Sequence, residues 1–581
     1  MKQPGFRRYY EDELAYLREL GDAFSRANPR IAGMLSQRAT DPDVERLLEG
    51  FAFLTGKLRQ RLDEELPELS HGLLALLWPH YLRPLPAMSI VEFQPDPAGL
   101  PVVLPSGTAV AARPIEGTSC QFRVCGALTV VPVTLGAATL EDRPNGAVLT
   151  LTVTAAANAD AAAAVAGGLR LYLHGERDAR ISPVLLRAVL RDMTALRASD
   201  GQRGVALAPR VRQVGFADDE ALLPWPENSA PGYRLLQEYL AFPERFLFVD
   251  LPPLPATHGL SGPAITYTAT LARPAGLPAP IGPQHIRLNC APVINLFDTE
   301  ADPIRPERGR IEYRVRPPTQ RDPHARVYEI RRVRGFVQGQ PAPVVFDAFE
   351  TFRHAMPGGT GHFFRAHLRP ATLGRGADVW LSFVDGADGA LVPGADMVAA
   401  DITCTNGQLA ELVPIGGIDQ HAAGSLATGR FRNITPVLPE VPPPFGSDAL
   451  WRLVSGLARS LRPLDDIAML RQLIASYDFR AVQDDQARRR LELLLGGLRE
   501  VATEGFDTMV RGIPVRGREV RLTVDRGGFM GLGDVFLFAT VFDAFLGVYG
   551  GLNSAWRLRV LEAQTNTEFL FPTRLGRTQA L

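Results

Sequence analysis

The sequence predicts an α+β multidomain protein: an N-terminal helical segment, two β-rich middle domains with helical insertions, and a C-terminal α/β domain. Three features predict it. Apolar residues recur at steps of three and four as far as Pro86, which is a helical period. The pattern then changes to alternation, with short apolar runs separated by Gly, Pro and Asn turns. After the proline-rich run 436–446, helical and strand patterns alternate again. The implied divisions are residues 1–86, 87–297, 298–440 and 441–581.

In the first segment Tyr10, Leu14, Leu17, Leu20 and Phe24 share one helical face. Glu11, Asp12 and Glu13 sit in the first turn, where the helix dipole favours carboxylates. Asn28-Pro29 stops this helix, because the residue before proline avoids the α region. Asp41-Pro42 starts the next one, with an N-cap acceptor followed by proline at the first helical position. Val44, Leu47, Leu48, Phe51, Leu54, Leu58 and Leu62 then keep the period to near Pro67, a helix of roughly 36 Å at 1.5 Å per residue. A third apolar run, Leu73 to Trp78, ends at Pro79. Periodicity leaves open whether these faces pack within the chain or against other chains.

Strands are expected at 90–93, 108–112, 121–124, 129–135, 147–154 and 169–173. In 147–154, Leu149, Leu151 and Val153 fall on one face and threonines on the other. Helices are expected over 181–198 and 232–241, then strands at 246–251, 265–271 and 285–290. The next part gives strands at 310–315, 326–333, 379–384 and 397–404, with a turn at Asn406-Gly407. Beyond the linker come helices near 447–461 and 464–476, a strand at 520–524, an apolar helix 535–549, and strands near 556–562 and 568–571.

The length of 581 residues suggests roughly three to five domains. A hydrophobic share of 46% is enough for sizeable cores. The net charge of −1 argues against broad attraction to nucleic acid or anionic lipid. Lysine occurs only at Lys2 and Lys57, so arginine carries almost all the positive charge. Four cysteines in so long a chain make no disulfide framework and read as reduced thiols. The start, MKQPGFRRYYEDE, has charges where a signal peptide needs an apolar core. The 535–549 helix is short for a bilayer and carries Asp543, so it reads as a core helix and membrane insertion is not expected.

No motif points to catalysis. The loop Gly527 to Asp534 follows a strand and precedes a helix, but it lacks the lysine and Ser/Thr of a phosphate loop and reads as a turn closed by an Asp534 N-cap. His354, His362 and His367 are spaced by eight and five, which does not place them on one helical face as metal ligands. HExxH, G-x-S-x-G and CxxC are all absent. The sequence therefore proposes no catalytic residue, metal ligand or cofactor. Its candidate sites are partner-interface positions: Tyr10, Leu14, Leu17, Phe51, Leu54 and Leu58.

Several blocks carry a resemblance. YYEDELAYLREL, DPDVERLLEGFAFLTGKLRQRLDEELPEL and LLALLWPHYLRPLPAM come first. They are followed in order by LLPWPENSAPGYRLLQEYLAFPERFLFVDL, RLNCAPVINLFDTEADPI, ITCTNGQLAELVPIG, LWRLVSGLARSLRPL and EFLFPTRLGRTQAL. Together they resemble the TssF family of bacterial type VI secretion baseplate subunits along nearly the whole chain. The Ala-rich 155–168 and Gly-rich 527–533 regions diverge most. The resemblance implies a structural protein, similar to contractile phage tail wedge proteins. It implies a wedge in which two copies embrace one TssG, joined by TssK, with TssE and the VgrG hub in the same platform and neighbouring wedges in contact. It also implies a cytoplasmic location, docked at the inner face of the cytoplasmic membrane. A hydrolase or effector, or a carbohydrate-binding β-rich protein, is the alternative from the residues alone.

Overall fold

The structure is a computed structural model. It describes residues 14, 49–55, 74 and 78–576, apart from 97–98, 157–158, 227–228, 230, 308, 319–323, 350–361, 371–376, 385–393, 423–428, 445–465, 511–512 and 550–554. The chain divides into two compact units: Met1–Trp78 with Pro444–Arg459, and Pro79–Pro443 with Ser460–Leu581.

In the first unit, Leu14 and residues 49–55 are helical, as the period predicts. Leu74 is helical and buried, and Trp78 N donates to its carbonyl at 2.7 Å, a one-turn helical bond. The remainder of the predicted helices, including 447–461, lies outside the described residues.

The second unit is an α+β body. Among its described residues the strands form six sheets. The first has the spatial order Ile418–His421, Ala109–Ala112, Gln121–Val124, Cys290–Ile294, Met88–Gln94 and Arg430–Asn433, antiparallel throughout. Two strands from beyond residue 412 thus close a sheet begun at Met88. Its core is built from Val91, Phe93, Phe122, Val293, Leu409 and Phe431.

A five-stranded sheet holds Gly146–Ala155 between Val133–Arg143 and Ala264–Leu271. Leu149, Leu151 and Val153 are buried and the intervening threonines half-buried, matching the predicted alternation. The helix expected over 181–198 is shorter. It runs Ile181–Arg187, widens into a π segment Ala188–Asp192, and gives way to strand Met193–Ser199. That strand pairs with both Gly204–Leu207 and Ala264–Leu271, and two partners outweigh the local helical pattern.

A four-stranded sheet orders Arg212–Gln213, Phe248–Leu251, Leu169–Leu173 and Ile286–Leu288. A seven-stranded sheet from Phe297–Glu300 to Glu312–Arg314 surrounds Val333, Phe346, Leu381, Phe383 and Ile402. Val102–Leu104 and Leu128–Val130 form a small ribbon.

At the C-terminal end, Ile513–Val524 and Ala555–Glu562 run parallel, with helix Leu532–Tyr549 between them in the chain, a βαβ unit. Leu498–Val510 flanks Ile513–Val524 on the outer side. Asp534 sits inside the first turn of its helix, not at the N-cap, because the helix opens at Leu532. Its carboxylate reaches back to accept Met530 N at 3.0 Å, so the charge still meets the helix start. The Leu532–Tyr549 helix is apolar on nearly every side and buried, as a core helix should be. Helices Ile181–Arg187 and Gly232–Ala241 pack on it.

Candidate functional site

The predicted interface residues meet different fates. Leu14 is half-buried, and Tyr10, Leu17 and Leu58 lie outside the described residues. Phe51 and Leu54 are 58% and 65% exposed, beside Phe53 at 47%. Ala52, on the other side of the same turn, is fully buried. The helix therefore turns its small residue inward and its large apolar residues outward. The Thr55 hydroxyl donates back to Phe51 O at 2.8 Å, which closes the helix locally. Burying Phe or Leu stabilises by roughly 1.5–3 kcal/mol each, so this surface gains from a cover.

Among the described residues, the cysteines and histidines weighed for chemistry make structural contacts. The four cysteines are buried free thiols. Burial pushes Cys120 up to about 12 and Cys125 up to about 11, far from a reactive thiolate. His367 lies on strand Phe363–Pro370 with Nε2 3.0 Å from Ser382 Oγ, and the His362 ring sits 5.7 Å from Phe346. His354 lies outside the described residues. Among the described residues no group of His, Cys, Asp and Glu has a metal-holding arrangement, and no helix is long and apolar enough to cross a membrane.

Two dense clusters escaped the motif reading. The first surrounds His80, in the short 3-10 turn Pro79–Leu82. Its ring lies 4.0 Å from Trp225, with Nδ1 3.1 Å from Ser229 Oγ and Nε2 3.3 Å from Tyr477 OH. Burial, aided by the Arg83 cation, drives His80 down to about 3, so it is a neutral hydrogen-bonding ring at neutral pH. Tyr477 also stacks on Tyr233 at 5.2 Å and meets the edge of Tyr81 at 6.0 Å.

The second is a buried ionic network on the block 212–250. Glu238, wholly buried on helix Gly232–Ala241, contacts Arg245 and lies 3.5 Å from Arg234. Its Oε1 also accepts Leu222 N and Leu223 N, both at 3.0 Å. Arg245 donates to Gly215 O at 2.8 Å and Glu220 O at 2.7 Å, fixing the loop 215–223 from inside. Outward, Arg212 bridges Glu220 and Asp250, both at 2.6 Å, and Asp250 accepts Arg170 at 2.7 Å. The sequence signal for this network was available in RLLQEYLAFPERF, where charges are embedded in Leu, Tyr and Phe.

The first unit thus shows an outward apolar helical turn at Phe51 and Leu54, and the second, taken by itself, holds a braced buried ionic network. The model of the family described as "Type VI secretion system, TssF" matches residues 2–578. The type VI secretion system component TssF1 of Pseudomonas aeruginosa strain PAO1 is 30% identical over 605 residues, covering 95% of each chain. Among solved structures, a chain of a TssK-TssF-TssG baseplate subcomplex, seen by cryo-electron microscopy, is 28% identical with a TM-score of 0.74. That match covers 92% of this chain and 99% of the other. A chain of a type VI secretion baseplate complex is 27% identical with a TM-score of 0.65, covering 99% and 100%. With a family match from end to end and a relative aligned over almost its whole length, the chain belongs to the TssF family of the type VI secretion system.

Proposed function

We propose that this chain is a structural wedge component of a type VI secretion baseplate. Two copies pair with one TssG, TssK joins the wedge, and TssE and the VgrG hub belong to the same platform. The ring of wedges supports assembly of the tube and contractile sheath, in the cytoplasm at the inner face of the cytoplasmic membrane. The observation that carries this reading is the likeness over 92% of the chain to a subunit of a TssK-TssF-TssG subcomplex.

The exposed pair Phe51 and Leu54 supports the choice of interface. Tyr10, Leu14, Leu17 and Leu58 complete it by helical period. Work is done by contact and not by catalysis. Release of the sheath needs interfaces with two packings of similar energy, and a helical seam between chains is suited to that.

Affinity capture by tagged cognate TssG tests the reading. The wild-type chain is expected to be retained. The double variant Phe51→Asp with Leu54→Asp is expected to pass through while keeping its circular dichroism spectrum. Retention of the folded double variant at wild-type strength would remove this helix from the interface.

A further inference from the structure

A cavity of about 550 Å³ opens beside the buried ionic network, a volume in the range of small-ligand sites. Arg123, Arg234, Trp225, Cys125, Asp218 and Ser229 are among its lining residues. The charge of its walls is unbalanced. Arg234 is 3% exposed at its side chain, yet its contacts are long: 3.5 Å to Glu238, 3.4 Å to Asp218 and 3.4 Å to Ala217 O. A guanidinium in a committed ion pair sits at about 2.7–2.9 Å. Glu238 has no capacity to spare, because its two oxygens serve Arg245 and the amides of Leu222 and Leu223. Glu238 therefore faces two buried guanidiniums, with Glu220 a further carboxylate acting on both. Burial works against the charge on Arg234, and on Arg245 the neighbouring Arg234 cation adds to it.

Asp218 is a poor counter-ion. Its side chain is 90% exposed, on the short turn Asp218–Glu220. Arg123, half-buried on strand Gln121–Val124, has no ion-pair acceptor among the described residues. The cavity thus offers two guanidiniums, one buried and one half-buried, with the half-buried indole of Trp225 in the same wall.

We propose that this cavity is a carboxylate-binding site: the acid group of a ligand pairs with Arg123 and Arg234, displaces Asp218, and its stem lies against Trp225. The proposal stands independently of the baseplate reading. An acidic side chain on a protein loop and a free organic acid present the same chemistry, and the test separates them.

The full-length protein is titrated with glutarate and, separately, with the blocked peptide acetyl-Gly-Glu-Gly-amide. Sodium chloride at equal ionic strength controls for screening. Tryptophan fluorescence is followed, with Trp225→Phe identifying the part of the signal that belongs to the cavity. A saturable change is expected, lost in Trp225→Phe, with affinity about tenfold weaker in Arg123→Ala. Asp218→Asn is expected to bind more tightly than wild type, because it removes the competing carboxylate. Response to the peptide alone assigns the site to a protein loop; response to glutarate alone assigns it to a free acid; response to both assigns it to the carboxylate itself. Arg123 and Asp218 are not fully buried, so these variants should fold where an Arg234 variant would not. No saturable change with either probe, equal affinity in Arg123→Ala, or weaker binding in Asp218→Asn overturns the proposal.

Discussion

Glu238 shows how much one buried side chain carries. It is wholly buried, contacts Arg245, and holds two loop amides. Glu238→Gln keeps the shape and removes the charge, leaving Arg234 and Arg245 without their shared counter-ion. Losing one partner of a buried ion pair costs about 3–5 kcal/mol. Arg212→Ala removes an arginine that is 55% exposed at its side chain, and such pairs are worth about 0–1 kcal/mol. Urea unfolding of the two variants is expected to separate them by that margin; similar losses would contradict the buried network. Asp543 poses the opposite case. It lies 2% exposed in the apolar helix, and burial raises its carboxyl above the ordinary 3.8 despite the Arg574 hydrogen bond at 2.5 Å. A raised carboxyl holds its proton longer when folded, so its contribution is complete at low pH and is lost as pH rises through the folded value. Asp543→Asn is blind to that titration. Its stability relative to wild type should therefore grow as pH rises from 3.8 upward, measured by urea midpoints. A gap that shrinks with rising pH would contradict the assignment. Asp543 was visible in the sequence as a charge in an apolar run, but its partner is 31 residues away and is brought there only by the fold.

At the scale of elements, the sequence was most informative where burial imposes a period on one face. The strand Leu169–Leu173 falls where the pattern put it, and Gly232–Ala241 matches the predicted helix. Leu498–Val510 was invisible as a strand, since LREVATEGFDTMV mixes acidic residues and glycine with few apolar ones. Its conformation comes from pairing with Ile513–Val524 along almost its whole length, which is a non-local cause. The preceding helix Asp485–Gly497 was missed as well; its surface is mostly charged, with Leu491 and Leu494 buried. The helix expected through residue 198 failed at Met193 for the same non-local reason. Packing between elements gives a sharper test. A Cβ on Gly533 would fall 2.6 Å from Pro183 C and Val184 N, both backbone atoms. Gly533→Ala should push the Ile181–Arg187 helix off the Leu532–Tyr549 helix and destabilise by about 1–3 kcal/mol, as overpacking does. Thermal or urea unfolding reads this directly; a neutral or stabilising result would show that the two helices approach less closely than described.

At the scale of the molecule, the sequence conveyed an assembly part through the family resemblance, carried block after block in order. The apolar faces before Pro86 left open whether they pack within the chain or against other chains. Geometry adds the direction of a face: period alone grouped Phe51 with Leu54, while exposure reveals that this pair points outward in the isolated chain. What stays illegible is the closure of the Met88 sheet by strands Ile418–His421 and Arg430–Asn433, because pairing across more than 300 residues leaves no local trace. Phe51→Asp should change the stability of the isolated protein by no more than about 0.5 kcal/mol, as exposed substitutions usually do. The same change should abolish capture by TssG, because a charge buried in an apolar seam without a partner costs several kcal/mol. Loss of the fold in Phe51→Asp, seen by circular dichroism, would assign this face to the chain's own core.

The proposed role as a paired subunit of a baseplate wedge is decided by native mass spectrometry after co-expression with the cognate TssG. A complex of two copies with one TssG is expected. A monodisperse monomer that leaves TssG free would contradict it.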